Sequence, residues 1–327
     1  MQDEDRKAWA WSWAGIGALG MLGAALASGA ARSAELAPPG SVAVWVADRD
    51  AGALYGLDAD LILARTLPLG WPLDIERAHD GGLFVLRSGN QGSSFGHRLV
   101  KLDPAGNATN QTYLEPCLDL DTLDGRAALL IELPGSGGGP RRAVRVAPEG
   151  ALFVVAASPT LRCITGSRNS VLTGSDDGWI VRWDPQGGAP ITSVQLGGAI
   201  GDLRPGPEAG SVFALDTSAR RLAYLGPDLA LRWQVMLGIE ARHLGVVEGE
   251  ERVWIADTST PRVVRYGPGG ALELDRGSLP LAGLDRSLPW LDGGVLLAAP
   301  GAILHLDGRG HLAPGQGGFN HLADLER

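Results

Sequence analysis

Beyond Pro38-Pro39-Gly40 the chain alternates short apolar, β-branched runs with Gly, Pro and Asp, and no stretch of any length carries the spacing of an amphipathic helix. This pattern predicts an all-β chain. One phrase recurs, an apolar strand running into a tight turn, in ALYGLDAD, RLVKLDPAG, AVRVAPEG, WIVRWDPQGG, RLAYLGPDL, VVRYGPGG and AILHLDGRG. The turn residues Asp58, Asp103, Ala147, Asp184, Gly226, Gly267 and Asp307 lie 37 to 45 residues apart, the interval of a four-stranded propeller blade. A strand precedes each phrase, as in SVAVWVAD, SVFALD and RVWIAD, with the weak alternation expected of strands buried on both faces. Asp48, Asp176, Asp216 and Asp257 close four of these strands, where an Asp side chain caps the turn that follows.

These repeats predict a β-propeller over residues 41–327, of seven blades, with six as the alternative because Pro116 to Ala157 is the least regular segment. The first blade starts on its second strand at Ser41, so the C-terminal FNHLADLER is expected to supply the missing innermost strand. Pairing of the two chain ends would then leave no free sheet edge at the closure. VWIADTSTPRVVRYGPGGAL and VWVADRDAGALYGLDADL resemble NHL-type propeller repeats, and GSDDGWIVRWDPQGG resembles a WD-type blade without the His of that family. The resemblance spans nearly all of residues 41–327 and implies an architecture, not an activity.

An uncharged run from Ala8 to Ala30 adds a targeting signal, so residues 1–34 read as a signal peptide or as an N-terminal membrane anchor. Small-residue triplets such as Ala25-Leu26-Ala27 suit cleavage, while Trp9, Trp11 and Trp13 suit an interfacial belt around a retained span. Either way the chain is expected to be exported, periplasmic or extracellular, or held at a membrane by residues 8–30. A net charge of -9 without any basic stripe excludes nucleic acid as the expected partner. Cys117 and Cys163 are placed either to pair in an oxidising compartment or to serve as small buried apolar groups.

The charged stretch WPLDIERAHDGG resolves once the first strand of each blade is aligned on the turn that ends it. His79 and Asp80 then fall at the turn, and Asp124, Arg168, Glu208, Glu248 and Asp292 match Asp80 in other blades. About six residues earlier, on strands that line the central channel, stand Asp74, Asp119, Arg162, Asp202, Arg242 and Arg286. A charge there is costly unless it is paired or wet, so a ring of carboxylates and guanidinia is expected around one level of the channel. Such a ring either ties blades together or seats a polar ligand, with His243 and His321 nearby.

No catalytic residue, metal site or cofactor is assigned from these residues. Propeller lyases of the streptogramin and peptidyl-amidoglycolate types gather histidines at the channel, and gluconolactonase-like propellers hold a divalent metal with Glu, Asn and Asp. Only His243 and His321 of six histidines fall on or near innermost strands here, fewer than the three ligands a catalytic metal takes. The expectation is a binding or scaffolding module with a protein partner, serving a membrane or envelope complex. The alternative is a lyase- or lactonase-type enzyme at the channel.

Overall fold

The computed structural model describes residues 42–326, apart from 90–95, 136–137, 168–169, 281–282, 285 and 320–321. The N-terminal segment, Arg168, His321 and part of the Gly-rich run after Pro134 therefore lie outside the described residues. No helix among the described residues is long and apolar enough to cross a membrane.

Seven four-stranded antiparallel sheets form the blades of one propeller. Blade 1 is built from Val44–Asp48, Ala53–Leu57 and Leu63–Pro68, with the C-terminal Leu322–Glu326 as its innermost strand. The expected closure is present: Val46 pairs with Leu325 and Trp45 with Glu326. The innermost strands of blades 2 to 7 are Pro72–Arg77, Cys117–Leu123, Leu161–Ser167, Ile200–Pro205, Leu244–Val246 and Ser287–Pro289. The irregular segment after Pro116 makes a full third blade, which removes the six-blade alternative.

Second strands such as Val44–Asp48, Ala127–Glu132 and Val212–Asp216 are buried at every position, because each is covered on both faces by neighbouring blades. Outer strands such as Pro190–Gln195 and Leu231–Met236 alternate between exposed and half-buried, the period of a strand wetted on one side. The apolar residues collect into seven clusters, each filled by two adjacent blades; Phe213, Leu215 and Tyr224 of blade 5, for example, pack on Leu244, Val253 and Ile255 of blade 6. Burying each such side chain contributes about 1.5–3 kcal/mol, so every blade interface is a core of its own.

The recurrent turn keeps its geometry. The N–H of Asp58, Asp103, Ala147, Gly226, Gly267 and Asp307 each donates to the carbonyl four residues on. Asp48, Asp216 and Asp257 cap their turns through Oδ1, accepting from the N–H of Ala51, Ala219 and Ser259 at 3.0, 2.9 and 2.9 Å. Asp176 differs: Ser175 Oγ takes the turn N–H, from Trp179 at 2.9 Å, which leaves the Asp176 carboxylate to two arginines. Inner strands approach closely where the blades narrow; a Cβ at Gly166 would stand 2.1 Å from the Thr122 carbonyl of blade 3. Cys117 and Cys163 are free thiols, and Cys163 serves as a small buried group in the blade 4–5 core.

Candidate functional site

The innermost strands of five blades carry a one-residue bulge near their start, and the residue just after it takes the ring position: Asp74, Asp119, Cys163, Asp202 and Asp324, of which Cys163 packs into the core between blades 4 and 5. His243 and Arg286 precede the paired Leu244 and Ser287 and take the same place in blades 6 and 7. The expected ring therefore contains Asp74, Asp119, Asp202 and Arg286, while Arg162 and Arg242 stand one residue too early. A one-residue slip turns a side chain to the other face of a strand. Both arginines are exposed at the channel mouth, and the neighbours of Asp202 in the ring are Cys163 and His243 rather than two arginines. His79 is exposed beside a turn, and Asp80 binds Lys101 at 2.7 Å, so neither belongs to the ring.

Three ring carboxylates are engaged in joining blades. Asp324 accepts the Ile75 N–H at 3.0 Å, Asp119 the Ile164 N–H at 2.8 Å and Asp202 the Leu244 N–H at 2.7 Å. Each bond runs from the inner strand of one blade to the backbone of the next; the Ile75 N–H is shared with Asp74 Oδ1 at 3.1 Å. Two residues further along the same strands lies a second charged level, Glu76, Asp121, Arg204 and Glu326, which reading one position per strand missed. The period-2 rule for strands was the signal that could have found it.

Two guanidinia hold this acidic wall. Arg204 of blade 5 sits 3.4 Å from Asp202 on its own strand and reaches across the channel to Glu76 of blade 2 at 3.5 Å. Arg286 of blade 7 meets Asp324 of blade 1 at 3.3 Å and Asp74 of blade 2 at 3.6 Å. Burial would lower the pKa of Arg204, but Asp202, Asp121 and Glu76 together raise it well above the usual value. The acids outnumber the arginines, and the excess is met by protons. Burial and nearby carboxylates raise Asp74 and Glu76 well above the carboxylate range. Burial, reinforced by Asp202, lifts Asp119 to about 7, burial lifts Asp121 to about 6 against the pull of Arg204, and burial with Asp324 lifts Glu326 to about 8.

His243 lies 3.9 Å from Asp202, and burial together with Arg286, Arg204 and Arg242 holds its imidazole well below the ordinary pKa, hence neutral. Among the described residues no three His, Cys, Asp or Glu side chains are gathered in a way that could hold a metal ion.

The channel opens where the innermost strands begin, here termed the top face, into a cavity of about 790 Å³. Arg141, Arg162, Arg220 and Arg242 line it with Asp176 and Glu240. Asp176 receives Arg141 at 2.8 Å and Arg162 at 3.0 Å, and Arg220 pairs with Glu240. The sequence register placed Arg162 and Arg242 in the channel wall; the fold places them over it, together with Arg141 and Arg220, which arrive from different strands and turns.

No known protein family matches the chain, and no curated protein matches it in sequence. Solved structures match in fold. The periplasmic gluconolactonase of Pseudomonas aeruginosa is similar over 86% of this chain and 97% of its own, with a TM-score of 0.66 and 14% identity. A streptogramin B lyase is similar over 78% and 86%, with a TM-score of 0.60 and 13% identity. A chain of a mitotic checkpoint complex is similar over 79% and 82%, with a TM-score of 0.60 and 12% identity. At these identities the likeness is one of architecture.

Proposed function

We propose that this chain is an exported or membrane-tethered β-propeller that acts as a binding and scaffolding module, an accessory subunit holding a protein partner on its top face. The division of charge between channel and mouth carries the reading. In the channel, carboxylates are engaged by the backbone of the next blade and by Arg204 and Arg286. At the mouth, four arginines on four chain segments converge on an open cavity of about 790 Å³, the polar and concave surface that recognition needs. Similarity to a chain of the mitotic checkpoint complex supports a partner-holding role, since that neighbour works in an assembly.

The test is capture of the protein from native membranes with an antibody against its folded part, with the native N-terminus read by mass spectrometry. Recovery of one partner in stoichiometric amount is expected. Isolation of the protein alone from every fraction would overturn the reading.

One observation favours the enzyme alternative: His243, neutral and beside Asp202, lines the cavity at the mouth and a smaller one of about 230 Å³ along the channel wall. A lactonase or lyase using His243 and channel carboxylates would turn over a lactone panel, and His243→Ala would abolish that turnover. His321, the other histidine of that reading, lies outside the described residues.

A further inference from the structure

The mouth cavity does not end over the channel. A second cavity of about 470 Å³ adjoins it across blades 6 and 7, and the two share Glu240, Arg242 and Thr258 in their walls. Together they make one trough with unlike ends. At one end Arg141 and Arg162 converge on a single carboxylate, Asp176, with Arg220 and Arg242 beside them. The other end is lined by the exposed Pro300 with the buried Leu284, Ala298 and Ala299 beneath it, and among the described residues it carries no charge beyond the shared pair.

We propose that this trough seats an extended acidic segment of the partner protein, its carboxylates on the arginine end and its apolar side chains over the end where Pro300 is exposed. The inference rests on the binding reading above and names the chemistry of the partner. Guanidinia lining an open cavity are matched by carboxylates, which they can bind in bidentate fashion, and a basic segment would meet like charge at the same place. Asp119, which lines the same cavity, is held by the Ile164 N–H rather than offered to a ligand. Its pKa of about 7 further reduces the negative field beneath the arginines at neutral pH. The half-buried Arg141 and the exposed Arg162, sharing one aspartate, already form half of the contact, so an incoming carboxylate completes a pairing instead of creating one from solvated charges.

The experiment uses the whole chain and a short fluorescent synthetic peptide with aspartates at one end and leucines at the other, compared with the same peptide carrying lysines in place of aspartates. Saturable binding of the acidic peptide alone is expected. The double variant Arg162→Ala/Arg220→Ala, with an unchanged melting temperature, should weaken it by about tenfold or more. A second variant, Pro300→Glu, should weaken it independently at the apolar end. Equal binding of the lysine peptide, or undiminished binding to the arginine variant, overturns the proposal. Membrane capture separates the two readings: a partner retained by both the native protein and the arginine variant leaves the scaffold role intact and removes the trough, whereas a native protein that captures neither partner nor peptide removes both.

Discussion

The wall of the channel and its mouth are a few residues apart along the same strands, yet they treat charge in opposite ways. The wall gathers carboxylates in a buried space with two guanidinia, and meets the excess by protonation and by bonds to backbone N–H groups. The mouth gathers guanidinia in the open, where partners are exchangeable and water screens what is left. Burial turns a charged side chain into part of the frame; exposure leaves it free for recognition.

Removing Arg204 should break that contrast most severely. Arg204→Met takes away the guanidinium that faces Asp202 and Glu76 and leaves buried acids uncompensated, at a cost of about 3–5 kcal/mol at neutral pH by urea unfolding. The cost should shrink at pH 5, where the raised acids carry protons. An equal loss at both pH values would mean that Arg204 acts by packing alone.

Next in size is the pH dependence of the native protein. Asp119, Asp121 and Glu326 have folded-state pKa values of about 7, about 6 and about 8, above those of the unfolded chain. The stability linked to them is fully present below about pH 4 and is lost as pH rises through 6 to 8. The protein should therefore unfold at lower urea concentration at pH 8 than at pH 5. Asp119→Asn keeps an oxygen for the Ile164 N–H while removing one titration, so it should flatten the slope by on the order of 1–3 kcal/mol. An unchanged slope would place the titration elsewhere.

A smaller effect, about 1–3 kcal/mol, is expected for Asp202→Ala, which orphans the Leu244 N–H between blades 5 and 6. Amide exchange at Leu244 should accelerate selectively, and Asp202→Asn should restore its protection. Uniform acceleration across the domain would argue against a local bond.

At the mouth, Arg162→Ala should change stability by less than about 1 kcal/mol, since its pair with Asp176 is exposed. A large loss of melting temperature there would erase the distinction between wall and mouth.

Much of this was legible in the residues. The repeated turn phrase predicted the blades, and the missing first strand predicted the closure by Leu322–Glu326. Asp74, Asp119, Asp202 and Arg286 were reached by counting back from turns whose lengths happened to agree. The count failed by one at Arg162 and Arg242 because hairpin length varies while strand pairing does not, and pairing decides which face a residue takes. Asp324 was hidden because its strand lies at the far end of the chain from the blade it completes.

The sequence by itself determined what local chemistry dictates: apolar runs of strand length, Gly and Asp where turns need them, and a repeat that only stacked blades can bury. Only the tertiary structure decided which charges meet. Arg204 finds Glu76 three blades away, and Arg141, Arg162 and Arg220 converge from separate blades, because closing the ring brings together residues whose separation along the chain carries no trace of their distance in space.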